Sequence, residues 1–136
     1  MLIEMKPIGY IKSPYKNLKG IPRQSILSED SVVIEILPQY KEGIEGIKEN
    51  SFGVILFYFH KTTGEVPLKQ TPYNSDEFTG VFSTRSPRRP NGIGMSIVKF
   101  IKVEEGKIEI QGVDMVDGTP VLDIKPYAPQ LNPKVE

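Results

Sequence analysis

Twelve prolines and twelve glycines, spread along the whole of a 136-residue chain, limit the length of every regular element that it can form. Proline lacks a backbone donor and glycine favours turns, so long helices are disfavoured and short strands joined by turns are favoured. Between these residues the apolar positions repeat mostly with the two-residue period of a strand. We therefore predict a mainly β fold, a small closed or nearly closed antiparallel β-barrel with one or two short helices.

The predicted strands are residues 3–12, 31–37, 52–59, 80–84, 97–103, 107–111 and 120–126. Residues 52–59 are apolar on both faces, which predicts a central strand covered on either side. One short helix is predicted over residues 40–47, and residues 61–78 are predicted to form a long loop. The alternation slips at Gly112, which predicts a β-bulge there.

The length of the chain and the shortness of its apolar runs constrain its organisation and location. We expect a single domain over residues 1–136, with a core over about 5–127 and a short tail over 128–136. No apolar run approaches the roughly 20 residues of a membrane-spanning helix, and the N-terminus lacks the pattern of a secretion signal. We therefore expect a cytoplasmic protein that does not associate with a membrane.

Cysteine, histidine and charge counts exclude further classes of site. The chain has no cysteine and a single histidine, His60, which excludes thiol chemistry and leads us to expect no metal site. Seventeen acidic residues balance seventeen basic ones, so any nucleic-acid contact must come from a local patch. The candidate patch comprises Arg85, Arg88 and Arg89, with further lysines shortly after them. Taken alone, such a cluster is more often a solvated loop.

Candidate functional residues are densest in residues 83–96. Prolines stiffen this segment, glycines let the backbone approach a ligand closely, and arginine, hydroxyl and amide groups supply directional donors, which suits an anionic ligand. A second segment, residues 114–127, carries Asp114, Asp117 and Asp123, which are suitable partners for a ribose or an ammonium group. The alternative for Asp117 is that it only caps the turn formed with the glycine that follows it.

Four short sequences resemble the TsaA-like (TrmO) family of tRNA methyltransferases. They are GIPRQ at residues 20–24, FYFH at 57–60, TRSPRRPNGIG at 84–94 and DGTPVLDIKPY at 117–127. The resemblance implies a β-barrel enzyme that uses S-adenosylmethionine to methylate N6 of threonylcarbamoyladenosine next to the tRNA anticodon. It also implies a homodimer with the cofactor bound near the subunit interface.

The resemblance further implies a role for individual residues. The cofactor-contacting residues carried over by motif are Pro22, Arg23, Gln24, His60, Lys61, Arg89, Met95, Asp117, Gly118, Thr119 and Pro120. Arg85, Arg88, Lys99 and Lys102 are candidates for binding tRNA, with Arg88 the candidate for recognising the threonylcarbamoyl carboxylate. His60 is the candidate catalytic base because only its ordinary pKa lies near neutrality, although a structural or cofactor-only role stays open.

Two other functions remain open at this level. One is a non-catalytic barrel that binds a nucleotide or RNA, with an affinity for RNA that does not respond to S-adenosylmethionine. The other is a hydrolase using Ser86, His60 and Asp123, for which the chain lacks the usual nucleophile motif.

Overall fold

A computed structural model describes residues 1–13, 31–72, 75–112 and 115–135 of the chain. The predicted cofactor residues Pro22, Arg23 and Gln24, and the candidate Asp114, lie outside these ranges. The strands of the described part are β1 (Gly9–Lys12), β2 (Ser31–Ile36), β3 (Phe52–Tyr58), β4 (Lys69–Gln70), β5 (Thr79–Gly80), β6 (Ile93–Glu104), β7 (Lys107–Gln111) and β8 (Pro120–Pro126). Its 3-10 helices are Pro38–Ile44, Val81–Ser83 and Pro129–Leu131.

Six of these strands close into an antiparallel barrel in the order β1-β2-β7-β6-β3-β8, and pairing of β8 with β1 completes the ring. Strands β4 and β5 form a separate two-stranded sheet within the excursion that joins β3 to β6. The predicted mainly β fold and closed antiparallel barrel are confirmed. Among the described residues, no helix is long and apolar enough to span a membrane.

The barrel interior is filled by alternate residues of its strands, as the sequence period requires. On β2, Val32, Ile34 and Ile36 point inward, as predicted, and are buried. On β3 only one face is fully covered, because Phe52 and Tyr58 are 49% and 46% exposed. The prediction that this strand is covered on both sides is therefore wrong: a closed barrel places every second side chain on its outer surface.

Several predicted element bounds shift for identifiable reasons. Strand β1 begins only at Gly9, because Pro7 has no N–H to donate and the ladder starts after it. The predicted strand over residues 80–84 is a 3-10 turn over Val81–Ser83. The predicted helix over residues 40–47 is a 3-10 helix over Pro38–Ile44, in which no residue is buried.

The predicted bulge at Gly112 is absent from the described pairing. Strand β7 ends at Gln111, and Gly112 has a φ of +96°, so the slip in alternation marks the end of the strand. The barrel has irregularities elsewhere, between Phe100 and Lys102 in the β6–β7 pair and between Leu56 and Phe57 in the β3–β8 pair. The second of these positions the residues of the candidate site.

Candidate functional site

The candidate site lies where β3 ends and β8 begins. Phe57 pairs with Val121, so the residues that follow β3 and those that precede β8 meet at one mouth of the barrel. His60 and Gly118 are neighbours there, since a methyl group added to Gly118 would lie 3.8 Å from His60 Nε2. The structure thus brings together two sequence motifs that are more than fifty residues apart.

The turn before β8 is fixed to β1 by backbone and side-chain contacts. Asp117 Oδ1 accepts a hydrogen bond from the Ser13 N–H at 2.9 Å, and the Gly118 N–H donates to Ile11 O at 2.8 Å. Gly118 has a φ of +80°, a conformation that glycine adopts without strain. Thr119 is buried and donates from Oγ1 to Val116 O at 2.6 Å. The hydroxyl of Thr119 therefore stabilises the turn.

His60 is partly buried and carries an unsatisfied polar atom. Its Nδ1 is buried without a hydrogen-bond partner among the described residues, and the same holds for Thr62 Oγ1. Burial lowers the pKa of His60 below its ordinary value of 6.5, the positive charge of Lys61 lowers it further, and the nearby Tyr58 backbone opposes the shift. Near neutral pH the ring is uncharged, with one donor and one acceptor nitrogen. An unpaired buried polar atom costs about 1–3 kcal/mol, so this ring is suited to a ligand that pairs with it.

The side chain of Arg89 stabilises residues 84–92, which we call the arginine-rich loop, by hydrogen bonds within it. Its Nη1 donates to Thr84 O at 3.0 Å and to Ser86 O at 3.1 Å, which closes residues 84–89 into a compact turn. At the far end of this loop the Phe59 N–H donates to Gly92 O at 2.8 Å. The loop is therefore attached to the chain immediately before His60.

The side chain of Arg88 is hydrogen-bonded to a backbone carbonyl that is distant from it in the sequence. Its Nε and Nη2 donate to Glu65 O at 3.2 and 2.8 Å, and its own carbonyl accepts from Gln70 Nε2 at 2.6 Å. Arg88 thus joins the arginine-rich loop to residues 65–70. Bidentate recognition of a carboxylate by Arg88, as predicted, requires it to leave Glu65. Arg85 is exposed and makes no side-chain hydrogen bond or ion pair within the described part of the chain.

The predicted basic patch is divided by the fold. Lys99 lies opposite Phe52, six residues along β6 from Ile93, which is about 20 Å of strand. Lys102 lies further along the same strand and forms an ion pair with Glu104 at 3.3 Å. The structure therefore does not bring the two lysines together with the arginines of the loop.

Met95 lies on the outer surface of the barrel beside the site. It pairs with Leu56, is 44% exposed, and continues an apolar strip formed by Tyr58 and Ile93. We call Leu56, Tyr58, Ile93 and Met95 the outer wall. Of its members, only Met95 is among the predicted cofactor residues, although Tyr58 and Ile93 lie within the family motifs. For Leu56 and Tyr58 the available signal was the apolar character of both faces of residues 52–59, which in a closed barrel indicates an apolar outer surface.

The other two predicted cofactor residues also lie at this mouth of the barrel. Lys61 is exposed and follows His60 directly. Pro120 is the first residue of β8 and pairs with Tyr10. A separate groove of about 780 Å³, lined by Tyr40, Ile44 and Phe100 among others, contains the candidate Asp123 but none of the predicted cofactor-binding or tRNA-binding residues.

A closed antiparallel barrel whose polar groups converge in loops at one mouth defines a class of small ligand-binding barrels. Within this class, the chain belongs to the family described as tRNA-methyltransferase O N-terminal domain, which matches residues 10–132. The family resemblance seen in the sequence is confirmed.

Similar proteins include an S-adenosyl-L-methionine-binding protein of Archaeoglobus fulgidus, 38% identical over 94% of this chain and 91% of that protein. A tRNA (adenine(37)-N6)-methyltransferase of Mus musculus is 46% identical over 90% of this chain and 30% of that protein. The crystal structure of TrmO from Pseudomonas aeruginosa matches with a TM-score of 0.79 and 38% identity, over 97% of this chain and 58% of that chain. The chain thus spans only part of the length of several relatives, including 36% of a probable S-adenosyl-L-methionine-binding protein of Archaeoglobus fulgidus.

Proposed function

We propose that the chain is an S-adenosylmethionine-dependent methyltransferase that acts on N6 of threonylcarbamoyladenosine next to the anticodon of tRNA. Family membership over residues 10–132 and relatives named for cofactor binding and for tRNA methylation support this proposal. The structural observation that carries it is the placement of His60 against Gly118, with His60 Nδ1 buried and without a hydrogen-bond partner in the described part of the chain. We assign the activity to the cytoplasm, where tRNA is used.

The residues at this mouth fit the chemistry of the cofactor. Asp117 is suitable for an ammonium group and Arg89, in the loop attached to Phe59, for a carboxylate group. Gly118 leaves room for close approach, and the His60 nitrogen that has no partner among the described residues is suitable for a polar group. When bound, S-adenosylmethionine supplies the methyl group: the N6–carbon bond forms as the sulfur–carbon bond breaks, and the bonding electron pair stays on sulfur.

The chain's own contribution is to position the substrate and to accept a proton. N6 of the substrate carries one hydrogen, which must leave as the methyl group is attached. His60 is uncharged near neutral pH because burial and Lys61 lower its pKa, so one ring nitrogen is available as the acceptor. Proton acceptance by a positioned side chain contributes about 100-fold to 10,000-fold to a rate.

We also propose that the active form is a homodimer assembled through the outer wall. Tyr58, Ile93 and Met95 are 46%, 36% and 44% exposed and lie side by side on β3 and β6. Contiguous exposed apolar side chains mark interaction surfaces. Because Met95 belongs both to this wall and to the cofactor motif, a second copy seated here would border the cofactor.

The test follows labelled methyl groups from S-adenosylmethionine into tRNA that carries threonylcarbamoyladenosine and into the same tRNA without it. We expect labelling of the modified tRNA alone, strongly reduced by His60→Gln and unchanged by Lys48→Ala, an exposed control away from the site. Equal labelling of both tRNAs would contradict the substrate assignment. RNA binding without methyl transfer or response to the cofactor would favour a non-catalytic RNA-binding barrel.

A further inference from the structure

The excursion between β3 and β6 displays large apolar side chains to solvent. Phe82 is 77% exposed at the centre of the 3-10 turn Val81–Ser83, and Phe78 and Leu68 are 63% and 64% exposed. The Phe82 ring makes no contact with another ring in the described part of the chain. Such a display is unfavourable in water unless a partner covers it.

The backbone that carries Phe82 is held rigidly although its ring is free of neighbouring rings. Val81, directly before it, is 1% exposed, and its N–H donates to Leu68 O at 2.8 Å. Directly after the turn, Thr84 Oγ1 donates to Val81 O at 2.8 Å and Thr84 O accepts from Arg89. Phe82 is therefore held in position before any partner arrives, which reduces the entropy lost on binding.

The charge around Phe82 favours an anionic partner. Residues 61–92 contain five cationic side chains and three anionic ones, whereas the whole chain has a net charge of zero. Exposed Arg85 lies three residues after Phe82, and Lys69 Nζ lies 5.5 Å from the centroid of the Phe78 ring. Exposed aromatic rings among basic side chains are the composition that binds unpaired nucleotides, through base stacking and phosphate contacts.

We propose that Phe82 is a stacking platform for an unpaired base of the RNA substrate, with Arg85 on a neighbouring phosphate. The inference rests on the proposed function and deepens it, because it names how the RNA loop is held. The platform is joined to the site through the loop that ends with the Phe59 N–H to Gly92 O bond. We therefore expect the base that stacks on Phe82 to be adjacent to the target nucleoside. We assign a second copy of the chain to the outer wall and not to Phe82, because the outer wall lacks this excess of positive charge.

A tryptophan in place of Phe82 tests the stacking directly, because the natural chain contains no tryptophan. We expect the fluorescence of Phe82→Trp to be quenched on addition of an anticodon stem-loop RNA and to be unaffected by S-adenosylmethionine alone. The control is Phe52→Trp, which replaces a half-exposed phenylalanine at the end of β3 opposite His60 and should show no quenching.

Binding measurements separate stacking from general apolar contact. Phe82→Ala and Phe82→Leu should weaken RNA binding by about fivefold to 100-fold, whereas Phe82→Tyr should retain it, since only an aromatic ring offers a face to a base. Affinity for S-adenosylmethionine should not change in any of these variants. Arg85→Ala should lower the slope of log affinity against log salt by about one.

The outcomes distinguish this inference from the proposed function. If the parent chain binds and methylates tRNA while Phe82→Leu behaves like the parent, the platform is wrong and the methyltransferase stands. If Phe82→Trp fluorescence changes with protein concentration in the absence of RNA, the ring is covered by a second copy and the platform is also wrong. If the parent chain neither binds nor methylates tRNA, both proposals fail.

Discussion

Replacing Gly94 by alanine should destabilise the barrel beside the candidate site. Gly94 is buried on β6 opposite Phe57, and an added Cβ would lie 2.6 Å from Phe57 Cε2 and 2.7 Å from Phe59 Cζ. Real Cβ atoms do not approach other atoms this closely, so both rings must move. These rings are in edge-to-face contact with centroids 5.1 Å apart, and Phe57 is only 3% exposed. Because Phe57 is enclosed in the close-packed core, its ring cannot move without displacing other core side chains.

The size of the effect follows from the general cost of overpacking a core, about 1–3 kcal/mol. For a domain of 136 residues the entropy of unfolding is about 0.29 kcal/mol per kelvin, from an average of about 2.1 cal/mol/K per residue. The melting temperature should therefore fall by about 3–10 °C. Because Phe59 immediately precedes His60, affinity for S-adenosylmethionine should fall as well.

Thermal and urea unfolding followed by circular dichroism measure the effect, with Gly92→Ala as the matched control two residues away. A Cβ on Gly92 would lie 3.3 Å from Tyr58 Cε1, and that half-exposed ring can move into solvent at little cost. Adding Phe57→Leu to Gly94→Ala should cost less than the sum of the two single changes, because the leucine vacates the space that the methyl group needs. Stability of Gly94→Ala within about 0.5 kcal/mol of the parent would refute the reasoning.

Three further predictions concern the site. Arg89→Ala should weaken S-adenosylmethionine binding by about 1.5–3 kcal/mol in a calorimetric titration, and Arg89→Lys should not restore it because lysine lacks the guanidinium fork; unchanged affinity would exclude Arg89 from the site. The pKa of His60, read from the single histidine in an NMR titration, should lie below 6.5. Since the unfolded state then binds the proton more readily, the contribution of His60 to folding stability should be constant above pH 6.5 and fall below it, and this contribution should be absent in His60→Gln. Sedimentation should show a dimer that Met95→Lys dissociates; a monomeric parent at micromolar concentration with full cofactor affinity would defeat the dimer.

The sequence predicted the parts of the fold that depend on local pattern. Alternation placed Val32, Ile34 and Ile36 in the core, and the strand count and turn signals predicted a closed barrel. The sequence-based prediction failed where the structure depends on residues that are distant in the chain. Whether the second face of residues 52–59 is buried depends on closure of the sheet, and a local sequence pattern carries no information about that closure.

The same limit applies to the candidate site. Motif spacing indicated His60 and residues 117–120, and the fold places them at one mouth of the barrel. It gave no sign that Arg88 is held by a carbonyl 23 residues earlier in the chain. Nor did it show that Lys99 lies about 20 Å along β6 from Ile93, because residues along a β-strand are separated by about 3.3 Å each. Proximity in sequence therefore overestimated the extent of the basic patch.

The juxtaposition of His60 and Gly118 depends on a single extra residue in β8. Leu56 pairs with Asp123 and Phe57 with Val121, so Leu122 is the unpaired residue of a bulge. Extending the register beyond Phe57 places His60 opposite Gly118. Without the bulge the register would place His60 opposite Thr119, which is buried and holds the turn by its hydrogen bond to Val116 O.

The bulge thus places Gly118, the residue of the turn that lacks a side chain, next to the imidazole of His60. The position also requires a φ of +80°, which a residue with a Cβ adopts only at a cost of about 1–2 kcal/mol. Glycine meets this conformational requirement, and it also leaves free the space beside Nε2 that a Cβ would fill at ordinary contact distance. The mouth of the barrel is therefore shaped by strand register as much as by the charged side chains of its motifs, and the proposed ligand contact of His60 depends on the additional residue of β8.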